Sequence, residues 1–516
     1  MGITAGAQAS GVRAGRFSLR FPAAPGLGAV DVAINGHRVF SATPEPPRDG
    51  LARLSWPAVV RPYLRGTGTV RVTASATGEL VAQGRIALGR SSAPIAIVDG
   101  QGRQLTVNKW QRLGLMISDD DTGLRERLLS RTDRLIEDLT GLGCTVYITG
   151  GTLLGAVRRG DILPHDDDVD LAVFLDDEHP SDLGLASYRL EDELVALGYT
   201  VVRHSTAHLQ VTFLHEDGRT DHYIDIFTAF YRGAEFCQPF HVRSEVPRGS
   251  IVPVRPMAVA GRDWPAPAVP EEWLAACYGE GWAVPDPSFR FVTPLTTRRR
   301  FENWFGSQNI HRVYWEGRYA AREAEPATRG QARFTRALSR ILPAGEPVLD
   351  LGCGTGAVAA VAAEHGHEVI ATDYSYRALE LARRARGGSV DWRYGNLNDR
   401  RRLLELAAEL VRDGRRWNVL LSDVLHGLTE EGRGNVLLLL RQVLRRGGFA
   451  LASFDTDFVT RSFRGDDPQT WHLPVERLRS EAERWGVRVE PLETYRHAAD
   501  HGRRRGALVV LTTMEA

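Results

Sequence analysis

Residues 144–175 read CTVYITGGTLLGAVRRGDILPHDDDVDLAVFL. Val146 to Ile148 form an apolar strand that runs into a Gly150-Gly151-Thr152 turn, and a short helix is expected to follow. Asp166, Asp167, Asp168 and Asp170 then open a second strand, Leu171 to Leu175. Side chains two apart on a strand share a face, so Asp168 and Asp170 point the same way. Adjacent carboxylates repel unless a cation lies between them, and hard oxygen ligands select Mg²⁺ or Mn²⁺. A third acid comes from HYIDIFTAF, residues 222–230, where Asp225 stands alone among hydrophobes in a strand. A buried carboxylate costs several kcal/mol without a partner, and a shared metal would supply one. The preceding strand HLQVTFL and the turn EDGRTD make a hairpin that brings Asp225 beside the other two. A solvated acidic turn would explain an Asp run by itself. It does not explain apolar strands around the run and an isolated Asp on another strand.

This arrangement resembles the nucleotidyltransferase fold, in which a Gly-Gly or Gly-Ser turn starts a helix, Asp-x-Asp opens the next strand and a third Asp lies on a neighbouring one. More closely, Gly151-Thr-Leu-Leu-Gly155-Ala-Val-Arg158, Pro164, Asp166-Asp-Asp168-Val-Asp170, and then Trp273-Leu274, Cys277-Tyr278-Gly279, Trp282 and Pro285 resemble the LicD/fukutin family. The resemblance covers roughly residues 125–290. It implies a phosphotransferase that moves phosphocholine or a phospho-sugar from a nucleotide-activated donor onto a glycan. Asp168, Asp170 and Asp225 would be the catalytic metal ligands, bridging donor phosphates through Mg²⁺ or Mn²⁺. Gly150, Gly151 and Thr152 would offer N–H groups at a helix start, and Arg158 or Arg159 would clamp a phosphate. His165 stands where family members often carry an aromatic, which leaves the metal triad intact.

A second cluster, PVLDLGCGTGAVAAVAAEHGHEVIATDYS, occupies residues 347–375. An apolar strand ends at Asp350, and Gly352, Gly354 and Gly356 form a G-x-G-x-G turn into an Ala-rich helix. The next strand ends at Asp373, where an acid can bind two ribose hydroxyls. Further on come the strand Trp417 to Leu421, the segment Ser422-Asp423-Val424-Leu425-His426, Arg446-Gly447-Gly448, the strand Phe449 to Ser453, and a closing pair able to form an antiparallel hairpin. That order resembles the class I S-adenosylmethionine (SAM)-dependent methyltransferases over about residues 300–516. It implies SAM contact by Asp350, Gly352, Gly354 and Gly356, ribose contact by Asp373, and adenine contact by Asn396 and Leu397. Asn396 replaces the Asp of many relatives and can still pair with an adenine edge. Asp423 and His426 lie where the sheet's carboxyl edge meets the substrate, so either can deprotonate a hydroxyl; Asp455 and Asp457 are weaker candidates. Cys353 reads as a small loop residue with no base beside it.

The remaining sequence frames these two centres. At 516 residues the chain calls for two or more domains, and its 43% apolar and 25% charged content is ordinary for globular proteins. Basic and acidic residues balance at 64 each, which argues against a nucleic-acid or polybasic membrane binder. Lys109 is the only lysine, so 63 basic residues are arginine, mainly a compositional bias. Four scattered cysteines without CxxC spacing fit a reducing compartment. The first residues lack a signal-peptide core, and no stretch approaches a spanning helix. The expected location is therefore the cytoplasm, with peripheral contact at the inner face of the membrane allowed. Short strands between about residues 15 and 100 indicate an antiparallel sandwich or barrel. Leu124, Leu128, Leu129, Leu135, Ile136 and Leu139 recur at helical spacing, and a junction becomes helical around Trp304 to Ala321.

The expected organisation is an accessory all-β domain at 1–105, an α+β LicD-like phosphotransferase domain at 106–295 and an α/β Rossmann-like methyltransferase domain at 296–516. The expected function is consecutive modification of a surface or cell-wall glycan, or its lipid-linked precursor, by phospho-substituent transfer and methylation. An alternative is a methyltransferase whose LicD-like part only binds glycan or nucleotide. A glycan-assembly scaffold has nothing in its favour beyond the unassigned N-terminal residues. The sequence leaves the oligomeric state open.

Overall fold

The computed structural model describes residues 11–75, 77–98, 102, 104–107, 113–115, 123–163, 168–216, 220–239, 241–284, 286, 289, 291–320, 329–457, 463, 465, 467–499 and 502–514. The chain divides into two compact units. One runs to Gly306 without Arg203–Ser205 and Leu214–Asp221; the other holds those short segments and Ser307 onward.

Between Arg13 and Leu88 the first unit builds two four-stranded antiparallel sheets. One runs in the order Arg13–Ala14, Ser18–Pro22, Leu51–Ser55, Glu45–Arg48, and the other His37–Ala42, Val30–Ile34, Gly66–Ala74, Leu80–Leu88. Alternate residues point inward, as the two-residue period of a strand requires. Leu19, Phe21, Val30, Val32, Ile34, Ala52, Leu54, Val70 and Val72 thus meet in one buried cluster around Trp56.

The same unit carries a seven-stranded mixed sheet. Thr145–Ile148 pairs antiparallel with Val169–Phe174, which runs parallel to the long strand Thr220–Arg232. His208–Leu214 and then Thr200–Ser205 extend this side, while the far end of the long strand pairs with Glu235–Gln238, followed by Val242–Glu245. Val169–Phe174 is buried at every position, consistent with a strand covered on both faces. It begins at Val169, ahead of the expected Leu171, because backbone bonding to the Gly-Gly turn continues to Asp170. The helix Leu124–Gly141 buries Leu128, Leu129, Leu135, Ile136 and Leu139 in the same core as Trp273 of the helix Pro270–Tyr278.

In the second unit seven strands run in the order Asp391–Tyr394, Val369–Asp373, Val348–Leu351, Asn418–Ser422, Ala450–Asp455, Gly502–Thr513, Val487–Ala499. The first five are parallel, and Gly502–Thr513 runs antiparallel to both its neighbours, Ala450–Asp455 and Val487–Ala499, so the expected closing hairpin is present. Val348 and Leu420 enter one buried cluster and Leu349, Leu351, Val419 and Leu421 another, so each sheet face has its own core. Val348–Leu351 lies where the strand order reverses, and ligands of such sheets gather at the carboxyl ends there. The expected junction helix is instead two helices, Leu295–Phe305 and Arg312–Ala320. Gly306, at φ 64°, ends the first in a backbone conformation that favours glycine.

Candidate active sites

The Gly-Gly turn and the Asp strand are joined directly. Thr149 N–H donates to the Asp170 carbonyl at 3.0 Å, Asp170 N–H donates to Thr152 Oγ1 at 2.9 Å, and Gly151 N–H donates to Asp170 Oδ2 at 2.9 Å. Gly150 sits at φ 56°, and a Cβ there would stand 2.3 Å from Asp170 Oδ2, so no other residue fits. Beneath the turn, Tyr147 Oη and Trp273 Nε1 each donate to Gln238 Oε1 at 3.2 Å, while Gln238 Nε2 donates to Thr149 Oγ1 at 2.9 Å. The buried Trp273 thus supports the turn through Gln238.

Asp170 and Asp225 are direct partners in the parallel pairing, with Asp168 one residue before the strand begins. One carboxylate oxygen from each of the three lies within 4.8 Å of the others, and the residues are only 6%, 7% and 9% exposed. Asp225 Oδ1 accepts from Gln210 Nε2 at 3.0 Å and lies 3.1 Å from His208 Nε2. His208 and Gln210 share one face of the neighbouring strand. Three converging carboxylates in low dielectric are a hard-oxygen donor set for a divalent cation. His208 and Gln210 went unrecognised in the sequence, although their i, i+2 spacing beside the Asp225 strand was the available signal.

Two expectations for phosphate binding are corrected. Gly151 spends its N–H on Asp170 and so positions the acid, and Thr152 supports the same residue through its hydroxyl oxygen, which accepts from the Asp170 backbone. Arg158 donates to the carbonyls of Trp282 and Val284, tying its helix to the turn after Gly279. Its role here is a structural tie, and burial lowers its pKa. Pro164, His165, Asp166, Asp167 and Pro285 lie outside the described residues.

In the second unit a cavity of about 880 Å³ opens at the carboxyl edge of the parallel strands. Its floor is the glycine loop, with Gly352, Gly354 and Gly356 at φ 71°, 55° and 74°. A Cβ on Gly356 would stand 2.2 Å from the Trp392 ring, and one on Gly352 2.7 Å from Val424. Asp373 accepts from Gly354 N–H at 2.9 Å and Ser375 N–H at 2.8 Å, leaving lone pairs for two hydroxyls. Burial pushes its pKa up to about 6. Burial, with Asp373 nearby, pushes Asp350 up to about 7, and Asp350 Oδ2 is buried without a hydrogen-bond partner. A cationic ligand group beside Asp350 would relieve both conditions. Cys353 is buried, and burial pushes its thiol pKa up.

Asn396 is a further correction. Its amide donates to the Gln308 carbonyl at 2.7 Å and accepts from Asn398 N–H at 3.0 Å, while Gly395, Leu397 and Asn398 line the cavity. At the other end stand Asp423, His426 and Asp455. Asp423 takes φ 58°, a conformation Asp tolerates better than most residues. Its Oδ1 accepts from Ser453 Oγ at 2.9 Å. Burial lowers the His426 pKa. The closing hairpin adds Tyr495 and His497 to the cavity wall, neither of which the sequence reading singled out. Asp457 instead accepts from Arg505 N–H at 2.6 Å.

Residues 143–269 match the family model described as LicD/FKTN/FKRP, nucleotidyltransferase domain, and residues 348–448 match one described as a methyltransferase domain. The chain therefore joins a LicD-type transferase domain to a methyltransferase domain and is a transferase. Among curated proteins, mouse and human "Ribitol 5-phosphate transferase FKRP" are each 46% identical over 52 residues, a tenth of this chain and a tenth of theirs. Among solved structures, a SAM-dependent methyltransferase from Anabaena variabilis is 15% identical with a TM-score of 0.32, over 40% of this chain and 94% of that one. A TehB-like SAM-dependent methyltransferase from Corynebacterium glutamicum is 20% identical with a TM-score of 0.26, over 39% and 98%. Among the described residues no helix is long and apolar enough to cross a membrane.

Proposed function

We propose that the chain is a bifunctional glycan-modifying transferase. Its first centre moves a phospho-substituent from a nucleotide-activated donor onto a glycan or lipid-linked glycan, and its second methylates the glycan or the added group. We take the accessory β-domain as residues 1–105, the phosphotransferase domain as 106–295 and the methyltransferase domain as 296–516. The observation that carries the first activity is the convergence of Asp168, Asp170 and Asp225 within 4.8 Å inside the LicD-matched stretch. These residues would hold Mg²⁺ or Mn²⁺, which supplies charge neutralisation on donor phosphates. The polyol phosphate in the relatives' name is the first group to test.

For the second activity, the orphaned Asp350 Oδ2 and the glycine floor fit SAM, which carries ammonium and sulfonium charges. Asp373 would take the ribose, Leu397 the adenine face, and Asp423 and His426 would face the acceptor. Incubation of the full chain with labelled SAM, Mg²⁺ and nucleotide-activated polyol or sugar phosphates tests both activities. Calorimetry showing no SAM binding would remove the methyltransferase half. Binding of SAM without any Mg²⁺ or Mn²⁺ binding would favour the alternative in which the LicD-type part only binds.

A further inference from the structure

Four charged or titratable side chains meet at the acceptor end of the methyltransferase cavity, and two of them come from the closing hairpin. Asp455 ends its strand, and its Oδ1 lies 2.6 Å from His497 Nε2 while its Oδ2 lies 2.6 Å from Arg504 Nη1. Arg504 is 2% exposed, and its guanidinium also donates to the carbonyls of Gln469, Trp471 and Asp457. A carboxylate gripped by a buried guanidinium and an imidazole is fixed in place. His426, in the single turn Leu425–Gly427, lines the same cavity, and its buried Nδ1 has no hydrogen-bond partner.

We infer that Asp455, locked between Arg504 and His497, is the positioning residue that makes His426 the proton acceptor for a hydroxyl-bearing methyl acceptor. This rests on the methyltransferase reading. The acceptor oxygen forms a bond to the methyl carbon as the carbon–sulfur bond breaks. Sulfur leaves with the bonding pair as a neutral thioether, and the hydroxyl proton passes to the His426 imidazole at the edge that lines the cavity. The sulfonium charge that disappears is replaced by an imidazolium charge, which Asp455 is placed to stabilise.

The groups facing His426 act in opposite directions. Burial disfavours its cation most, Asp455 and Asp423 favour it, and Arg504 and His497 oppose it. The adjoining turn Pro468–Thr470 contributes uncharged Gln469 to the cavity, and Asp467 caps that turn. Burial works against ionised Asp455, but the hydrogen bond from His497 and the nearby cationic groups outweigh it and hold its pKa below the usual carboxylate range. The same hydrogen bond raises His497.

The test is proton titration of ¹³C-labelled histidines by NMR on the full chain saturated with S-adenosylhomocysteine, with signals assigned by their loss in His426→Gln and His497→Gln. Asp455→Asn should lower the His426 midpoint by about one pH unit or more, a tenfold drop in proton affinity. His497→Gln should raise it. A merely structural role would not produce shifts of opposite sign. If Asp455→Asn does not fold, His497→Gln decides alone, because it leaves the Arg504 pair in place. An unmoved His426 midpoint in a folded variant that still binds S-adenosylhomocysteine overturns the inference. Failure of the wild-type chain to bind S-adenosylhomocysteine instead overturns the methyltransferase reading beneath it.

Discussion

At Asp168, Asp170 and Asp225 three buried carboxylates converge, and the surrounding backbone and Gln210 serve to aim them. In the methyltransferase cavity the acids are spread out. Asp373 is held by backbone N–H groups and Asp455 by the side chains of Arg504 and His497, while Asp350 keeps an unpartnered oxygen. The first centre concentrates negative charge, which a cation brought from outside would balance. The second distributes charge over a preformed cavity, so its ligand answers one acid at a time.

That contrast breaks most clearly at the three converging acids. Asp170→Asn or Asp225→Asn should cut metal-dependent transfer by more than about 100-fold, since several kcal/mol of charge stabilisation are lost. The same variants should leave SAM affinity unchanged by calorimetry. In metal-free buffer Asp168→Asn should melt at a higher temperature than wild type, because one of three repelling charges is gone. A lower melting temperature would mean that the triad is not under repulsion. Gly150→Ala comes next. Its Cβ would meet Asp170 Oδ2 at 2.3 Å, so cation affinity should fall by roughly tenfold or more, by analogy with other disturbed ligand supports.

The cavity responds to pH instead. A cationic cofactor needs Asp350 ionised, so SAM should bind up to about tenfold more tightly at pH 8 than at pH 6, and Asp350→Asn should flatten that dependence. The stability of the ligand-free chain should run the other way. With folded values raised to about 7 and about 6, Asp350 and Asp373 hold protons that the unfolded chain has lost. Their stabilising contribution is complete below the unfolded carboxylate value and disappears as pH rises through that window. Melting curves between pH 5 and 8 check the sign, and saturating SAM should reduce the loss. The smallest effect belongs to Arg158→Ala, expected to cost about 1 kcal/mol of stability with donor KM unchanged. A donor KM raised tenfold would restore the phosphate-clamp role.

The convergence of the three carboxylates was legible because its parts are local. The Gly-Gly turn, Asp-x-Asp and a lone Asp in an apolar strand each announce themselves by spacing, and a hairpin links them. The glycine loop and parallel order were legible for the same reason. Which groups are already engaged was not legible: Gly151, Thr152, Arg158 and Asn396 each have a partner that only the folded chain reveals. The acceptor end was obscured by distance, since Asp455 meets His497 and Arg504 only after the chain has closed its final hairpin. An arginine in so arginine-rich a sequence carries no signal until its burial is known.

In the proposed reading Asp168, Asp170 and Asp225 form one divalent-cation site. Titration of the full chain with Mn²⁺, followed by electron paramagnetic resonance, tests it most directly. One bound Mn²⁺ per chain in wild type, absent from both Asp168→Asn and Asp225→Asn and displaced by Mg²⁺, is the predicted result. Equal Mn²⁺ binding by wild type and both variants would mean that the three acids do not form the cation site.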